Sequence, residues 1–411
     1  MARKDNHVVG IDVGTTQVRA IVGEPRPDGT ISIIGLGVSP TEGMKKGAII
    51  DLELTVEAIA SAAAEAERMC GFKIDSAYLG LQGLNTELIN NRGVVAVQSD
   101  DREIRAEDLE RVIQAARVIA LPLEREIVEV IPREFIVDGY DGIRDPVGML
   151  GVRLEIDAMI VTSSTTSLRN LVRCVNRAGI NVSGMILLAL AGAEVALSDD
   201  EKELGVFFVD IGGGTTEISL FQQGKLRQLA AIPVGGDHIT SDLAVGLRTS
   251  FYMAENIKIE YGSAFASLAS DEADIEISSV GSREKRQISA KEISRYLEPR
   301  VREILQIIRE EMVKMGWPEL PPAGAVFSGG VSQMNGLIEL ASMIYESDRV
   351  RCAEHDFVGI QNPIYTNAAG LLYFVNRQQY RYSRQERRET TYQSKPGLWQ
   401  RFKDWMFEII D

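Results

Sequence analysis

Apolar positions along the chain switch between a spacing of two and a spacing of three to four. This pattern predicts strands alternating with helices, hence mixed α/β layers. Strands are predicted at Val8 to Asp12, Arg19 to Val22, Ser76 to Leu81, Asp157 to Thr162, Gly205 to Asp210 and Ala325 to Ser328. Helices are predicted at Thr55 to Cys70, ended by Gly71; at Glu107 to Ala120; at Ser167 to Ala178, ended by Gly179; and at Ala254 to Tyr261. A long helix is predicted from Ala290 to Met315. Its entry reads Ser289-Ala-Lys-Glu292, a reciprocal capping pattern, and Gly316 and Pro318 stop it.

The pattern also repeats at long range. Val9-Gly-Ile-Asp12-Val-Gly-Thr-Thr16-Gln-Val18 is echoed by Phe208-Val-Asp210-Ile-Gly-Gly-Gly-Thr-Thr216-Glu-Ile218, with the two aspartates 198 residues apart. That separation is too long for a solenoid repeat and fits two related domains. Each copy reads as strand, Asp, glycine-rich turn, hydroxyl residues, strand. Such a turn exposes backbone amides with no Cβ in the way, and those amides can close on phosphate oxygens. One copy alone is equally a tight hairpin. Two in register, followed by the glycine pair of Ser328-Gly-Gly330-Val-Ser332, point to phosphate chemistry.

A segment from Leu84 to Glu155 interrupts the first copy with its own strands and helix, and a second insertion spans about Thr240 to Gly324. The expected organisation is then a first domain over 1–83 and 156–200 with an insert at 84–155. A second domain follows over 201–239 and 325–375, with an insert at 240–324. Residues 376–397 read as a basic linker and 398–411 as an amphipathic helix.

With 411 residues, 45% hydrophobic and 25% charged, the chain has length for two or three cores. Its 44 basic and 59 acidic residues leave a net charge of −15, which argues against non-specific nucleic-acid binding. Cys70, Cys174 and Cys352 are scattered and odd in number, and Met1-Ala-Arg-Lys-Asp-Asn6 leads into a strand without a signal-peptide core. Both features suggest a reducing compartment. No apolar run approaches the roughly 20 residues of a membrane span. His7, His238 and His355 are far apart and suggest no metal cluster.

The three glycine turns, Asp12-x-Gly14-Thr15-Thr16-Gln17, Asp210-x-Gly212-Gly213-Gly214-Thr215-Thr216 and Gly329-Gly330-Val-Ser332, resemble two phosphate loops and an adenosine loop. Their order is that of the actin, sugar-kinase and heat-shock-chaperone superfamily. The resemblance implies ATP between the loops and Mg²⁺ held by Asp12 and Asp210 through water. It also assigns Glu255 and Lys258, on one face of Ala254-Glu-Asn-Ile-Lys258, to ribose and base, and Gly235-Gly236 to a turn beside the nucleotide. An ordinary surface ion pair is the other reading of Glu255 and Lys258. Hydrolysing members of the superfamily carry a Gln or Glu before the second phosphate strand. Here Gly184-Met-Ile-Leu-Leu-Ala-Leu-Ala-Gly-Ala193 offers none, so tight binding with slow turnover is expected and no catalytic residue is assigned.

Finer wording narrows the resemblance. Glu203 to Glu217, Ile232 to Leu243, Phe327 to Met334 and Asn367-Ala-Ala-Gly-Leu371 resemble the FtsA family of bacterial actin-like cell-division proteins over nearly the whole chain. That family implies an actin-like body with a displaced small subdomain and self-association into filaments. It also implies tethering of the division tubulin FtsZ to the cytoplasmic face of the membrane at the division site, and recruitment of later division proteins. The FtsZ tail peptide would meet the surface from Arg286 to Arg302, with Arg295, Arg300 and Arg302 available to an acidic partner. Taken singly, each is equally a solvated helix charge.

The tail bears on the anchor independently. Between Asn376 and Gly397 stand six basic residues against Glu386 and Glu389. Beyond them Leu398, Trp399, Phe402, Trp405, Met406, Ile409 and Ile410 fall at helical spacing and include two of the three tryptophans. Aromatic amphipathic helices behind a basic tether suit a lipid interface. A helix docked on the body or a partner groove is the competing reading, and the polar tether argues against it. Other members of the superfamily remain alternatives: a pilus-assembly adaptor, a small-molecule kinase, a cell-shape actin or a chaperone. The first offers no reason for this tail. The second needs a substrate-directed carboxylate that the sequence does not offer. The third would keep a continuous small subdomain in its usual place, and too few residues remain for a peptide-binding domain.

Overall fold

The computed structural model describes residues 7–272, 275–278, 285–355 and 360–389. Strands β1 (Val8–Val13), β2 (Gln17–Pro25) and β3 (Ile31–Pro40) form an antiparallel meander, followed by a small hairpin of β4 (Met44–Lys45) and β5 (Ala48–Ile49). Helix α1 (Leu52–Cys70) is started by Asp51, whose carboxylate accepts from the Leu54 amide, and stopped by Gly71 in the left-handed region. It lays Ala58, Ile59, Ala62, Ala63 and Ala66 against the sheet. Strand β6 (Ser76–Leu81) then enters parallel to β1.

The insert follows: β7 (Thr86–Ala96), α2 (Ala106–Ala116), β8 (Arg125–Val137), β9 (Tyr140–Ile143) and β10 (Arg153–Ser164), in a four-stranded sheet of order β7-β10-β8-β9. Here the structure corrects the boundary read at 155. The strand expected at Asp157 to Thr162 is the middle of β10, paired to β7 and β8 along its whole length, so the insert runs to Ser164. Its alternating apolar residues serve the insert's own core with Ile156, Ala158 and Ile160. Helix α3 (Thr165–Arg177), capped by Ser164, returns the chain to the first domain. Strand β11 (Asn181–Leu187) closes the first sheet as β11-β6-β1-β2-β3.

Helices α4 (Leu188–Ala196) and α5 (Asp199–Leu204) lead into β12 (Val206–Ile211), β13 (Thr216–Gln222) and β14 (Lys225–Ile232). Between β14 and the next strand lie α6 (Gly236–Leu247), α7 (Phe251–Tyr261), a hairpin of β15 (Ile275–Ser278) and β16 (Lys285–Ile288), and α8 (Ala290–Lys314). Then come β17 (Ala325–Ser328), α9 (Leu337–Tyr345), β18 (Val350–Cys352) and α10 (Thr366–Glu389). The second sheet, β14-β13-β12-β17-β18, repeats the first strand for strand, with β12 in the place of β1. Asp12 pairs with Arg19 across the first hairpin and Asp210 with Glu217 across the second, so the echo in the sequence is an echo in register.

Two further expectations change. Ser289 caps α8 by accepting from the Glu292 amide, but the Glu292 carboxylate pairs with Arg286, leaving the cap one-sided. The basic stretch expected to be linker from 376 continues α10 as far as Glu389, because Arg, Gln and Glu are good helix formers and neither Gly nor Pro intervenes before Pro396. The anchor residues Leu398, Trp399, Phe402, Trp405, Met406, Ile409 and Ile410 lie outside the described residues. Among the described residues, no helix is long and apolar enough to cross a membrane.

Candidate functional site

Strand β1 ends one residue past Asp12 and turns back at Gly14, whose amide donates to the Gln17 carbonyl at 3.0 Å. Strand β12 ends one residue past Asp210 and turns back the same way, the Gly212 amide donating to the Thr215 carbonyl at 2.9 Å. The two turns face each other: a Cβ added at Gly214 would strike Thr15, and one at Gly213 would strike Thr16. The third turn closes from the side. Gly329, at φ +84°, sits so near the Asp210 carboxylate that a Cβ would lie 2.5 Å from it, while at Gly330 a Cβ would meet open space. Gly235 caps α6 where a Cβ would lie 2.5 and 2.6 Å from the carbonyls of Gly212 and Gly213, so only glycine fits. The amides of Gly236 and Asp237 in turn donate to those two carbonyls. The three turns and the Gly235-Gly236 step are thus one glycine-lined cradle.

The cradle floor holds more buried acid than its fixed cations balance. Asp12 is 5% exposed and pairs with Arg19 at 3.4 Å. Arg19 is also bound by Gln17 at 3.0 Å. Burial raises the Asp12 carboxyl and Arg19 only partly offsets it. Asp210 is pushed up to about 6, first by burial and then by the charge of Asp12, against a hydrogen bond from Asn367 at 2.9 Å. A third acid, Glu217, is pushed up to about 8 by burial, although it accepts from the amides of Gly83 and Ala189. Carboxyls held above their ordinary range in this way gain most from a nearby cation. Among the described residues no three metal-ligating side chains converge, so a cation here would be held through water and ligand oxygens.

Around the cradle, Lys258 is buried and pairs with Glu255 at 2.7 Å on α7, as their spacing predicts. Its ammonium also donates to the Thr240 hydroxyl at 2.8 Å and the Gly236 carbonyl at 3.4 Å, which ties α7 to the cradle. This is more than a surface ion pair. Two predicted residues turn out to brace the turns instead of lining the cleft. The Thr216 hydroxyl is fully buried and donates to the Val234 carbonyl, and the Ser332 hydroxyl donates to the Gly329 carbonyl.

The predicted arginines on α8 are divided. Arg300 is engaged by Asp242 and Glu303, and Arg302 by Glu298; Arg295 is exposed. The sequence reading missed Glu217, Asn367 and the β4–β5 hairpin. Glu217 stands at the register position of Arg19 in the echo, an acid where the first copy has a base, and that signal is in plain view. The hairpin's strands are two residues each and show no period.

Two facing glycine hairpins on duplicated sheets, closed by a third turn over buried Asp12 and half-buried Asp210, define the actin-like nucleotide-binding class. Solved structures agree on that fold alone. The PilM–PilN type IV pilus biogenesis complex matches at TM-score 0.62 and 16% identity, covering 90% of this chain and 98% of that one. MreB 5 of Spiroplasma citri bound to AMPPNP matches at 0.56 and 15%, covering 93% and 99%.

Within that class the sequence is specific. Residues 207–370 match the family model "Cell division protein FtsA" and residues 83–162 the model "SHS2 domain inserted in FTSA". The FtsA of Bacillus subtilis (strain 168) is 44% identical over 90% of this chain and 83% of its own length. That of Pseudomonas aeruginosa is 40% identical over 89% and 88%, and that of Borreliella burgdorferi 35% over 98% of both. The chain belongs to the FtsA family of cell-division proteins.

Proposed function

We propose that the protein binds ATP with Mg²⁺, assembles into actin-like filaments and tethers the FtsZ tail peptide to the cytoplasmic face of the cell membrane at the division site. On this reading it is a peripheral scaffold that later division proteins join. The observation that carries the nucleotide reading is the glycine-lined cradle over Asp12 and Asp210, two neighbouring acids that a cation would balance. The amides of the Gly14–Gln17 and Gly212–Thr215 turns would hold phosphate oxygens, Asp12 and Asp210 would hold a water-bound Mg²⁺, and Lys258 with Glu255 would sit at the sugar and base. Bound Mg²⁺ would offset phosphate charge.

Interaction surface is available on the second insert, where Val245, Tyr252 and Ile259 are more than 70% exposed around α6 and α7, and Arg295 of α8 is exposed where an acidic peptide could meet it. The lipid reading rests on the aromatic stripe from Leu398 to Ile410, with the basic residues before it supplying attraction to anionic headgroups. A single short helix binds weakly, so filaments would add affinity by multivalency.

Co-sedimentation with anionic vesicles, with ATP and Mg²⁺, tests this. The full chain is expected in the pellet, and a chain ending at Arg388 in the supernatant. Equal behaviour of the two would remove the membrane anchor and favour a pilus-type adaptor or an enzyme of the same fold.

A further inference from the structure

The β4–β5 hairpin stands at the mouth of the cradle and belongs to none of the three glycine turns. Lys45 pairs with Ala48, so the loop between them is the two-residue step Lys46-Gly47, at φ +48° and +73°. Two positive φ values in a two-residue hairpin define a turn whose first position suits Asn, Asp or Gly. A lysine is strained there. Gln223-Gly224 makes the same turn between β13 and β14, away from the cradle, so what the Lys46 tip touches, not its strain, must tell what the lysine is for.

Its surroundings say what. The Gly47 amide donates to the Thr15 hydroxyl of the first turn at 3.1 Å. The Lys46 backbone nitrogen lies 3.0 Å from the point a Cβ on Gly214 would occupy, and a Cβ on Gly47 would lie 3.0 Å from Thr215. The hairpin tip therefore touches both phosphate-type turns at once. It does so at the Gly214–Thr215 end of the second turn, whereas the third turn meets the opposite end, at Asp210 and Ile211. If the third turn lies on the adenosine side, the tip lies over the far end of the phosphate chain. Lys46 is exposed, and among the described residues no carboxylate pairs with it. Behind the tip a cavity of about 250 Å³, bordered by Met44, Ala48, Ile49 and Gln82, leaves the hairpin room to adjust.

We infer that Lys46 is a terminal-phosphate contact: the hairpin is a strap whose ammonium donates to the γ-phosphate oxygens and so separates ATP from ADP. The inference rests on the nucleotide reading above and deepens it.

The test measures ATP and ADP affinity by titration calorimetry with Mg²⁺, together with the thermal midpoint of the nucleotide-free chain. The native chain is expected to prefer ATP. Lys46→Asn suits the turn better, so its midpoint should equal or exceed the native one, while ATP affinity falls about tenfold or more, the scale of a charge-assisted hydrogen bond. ADP affinity should change less than about threefold, and Lys46→Arg should keep most of the preference. A native chain that binds neither nucleotide would sink the nucleotide reading itself. A native chain without ATP preference, or a Lys46→Asn variant that leaves the preference intact or weakens both nucleotides alike, would overturn the strap alone.

Discussion

Glu217 shows how one residue can be both written in the sequence and passed over. It occupies the Arg19 position of the echo, yet its neighbours come from Gly83 and Ala189, more than 20 positions away in the chain, and only folding brings them to it. Its raised carboxyl has a consequence for stability. The folded state holds this proton up to about pH 8, while an unfolded Glu releases it near 4.5. Folding therefore binds a proton between those values, and the native chain loses stability as pH rises through that window. Glu217→Gln removes the dependence. In magnesium-free, nucleotide-free buffer its stability relative to the native chain should climb from pH 5 to pH 8, at up to about 1.4 kcal/mol per pH unit. Denaturant titrations at a series of pH values would read this, and a flat difference would contradict it. Asp12 and Asp210 were legible because a carboxylate before a glycine turn has few purely structural uses. The bracing roles of Thr216 and Ser332 were not, since a hydroxyl beside glycines reads the same whether it faces a ligand or a carbonyl.

At the scale of elements, the contact of α1 with β3 is set by small residues on both sides. Gly35 and Gly37 let the helix backbone at Ala62 and Ala66 descend onto the strand, and a Cβ on Gly37 would collide with the Ala62 carbonyl. Gly37→Ala should destabilise the fold by about 1–3 kcal/mol, as overpacked cores do, visible as a lower denaturant midpoint with an unchanged slope. Strands with strict alternation or continuous apolar runs were readable, and β6 and β17 fall at the predicted bounds. Which sheet a strand joins was not, because the alternation in β10 serves the insert's core as well as it would the first domain's. Helix α4 was unreadable for a related reason: apolar except for Glu194, it has too little polar face to mark a period.

For the whole molecule, α10 is the piece that joins the halves. Asn367, in its first turn, bonds Asp210 of the second domain, while Leu371 packs on Gly10 and Leu372 near Gly23 of the first. The resemblance to a duplicated actin-like body was legible because the two glycine hairpins repeat; the bridging helix repeats nothing. On the proposed reading, a body built this way to hold nucleotide, with no carboxamide or carboxylate from Gly184 to Ala193, would work as a stoichiometric scaffold. Steady-state phosphate release should stay below about 1 s⁻¹, the low end of enzyme turnover. A faster rate with filaments assembled would make the enzyme reading the stronger one.

The length of α10 also sets a leash. The described part of α10 ends at Glu389, and residues 390–397 stand between that point and the aromatic stripe. Even drawn straight, eight residues span about 28 Å. On the membrane reading, every subunit must then present the same edge, the one where α10 ends, within that distance of the bilayer. A filament that twisted would carry this edge away from the surface within a few subunits and pull its anchors out. Membrane attachment through so short a tether therefore selects flat, untwisted filaments.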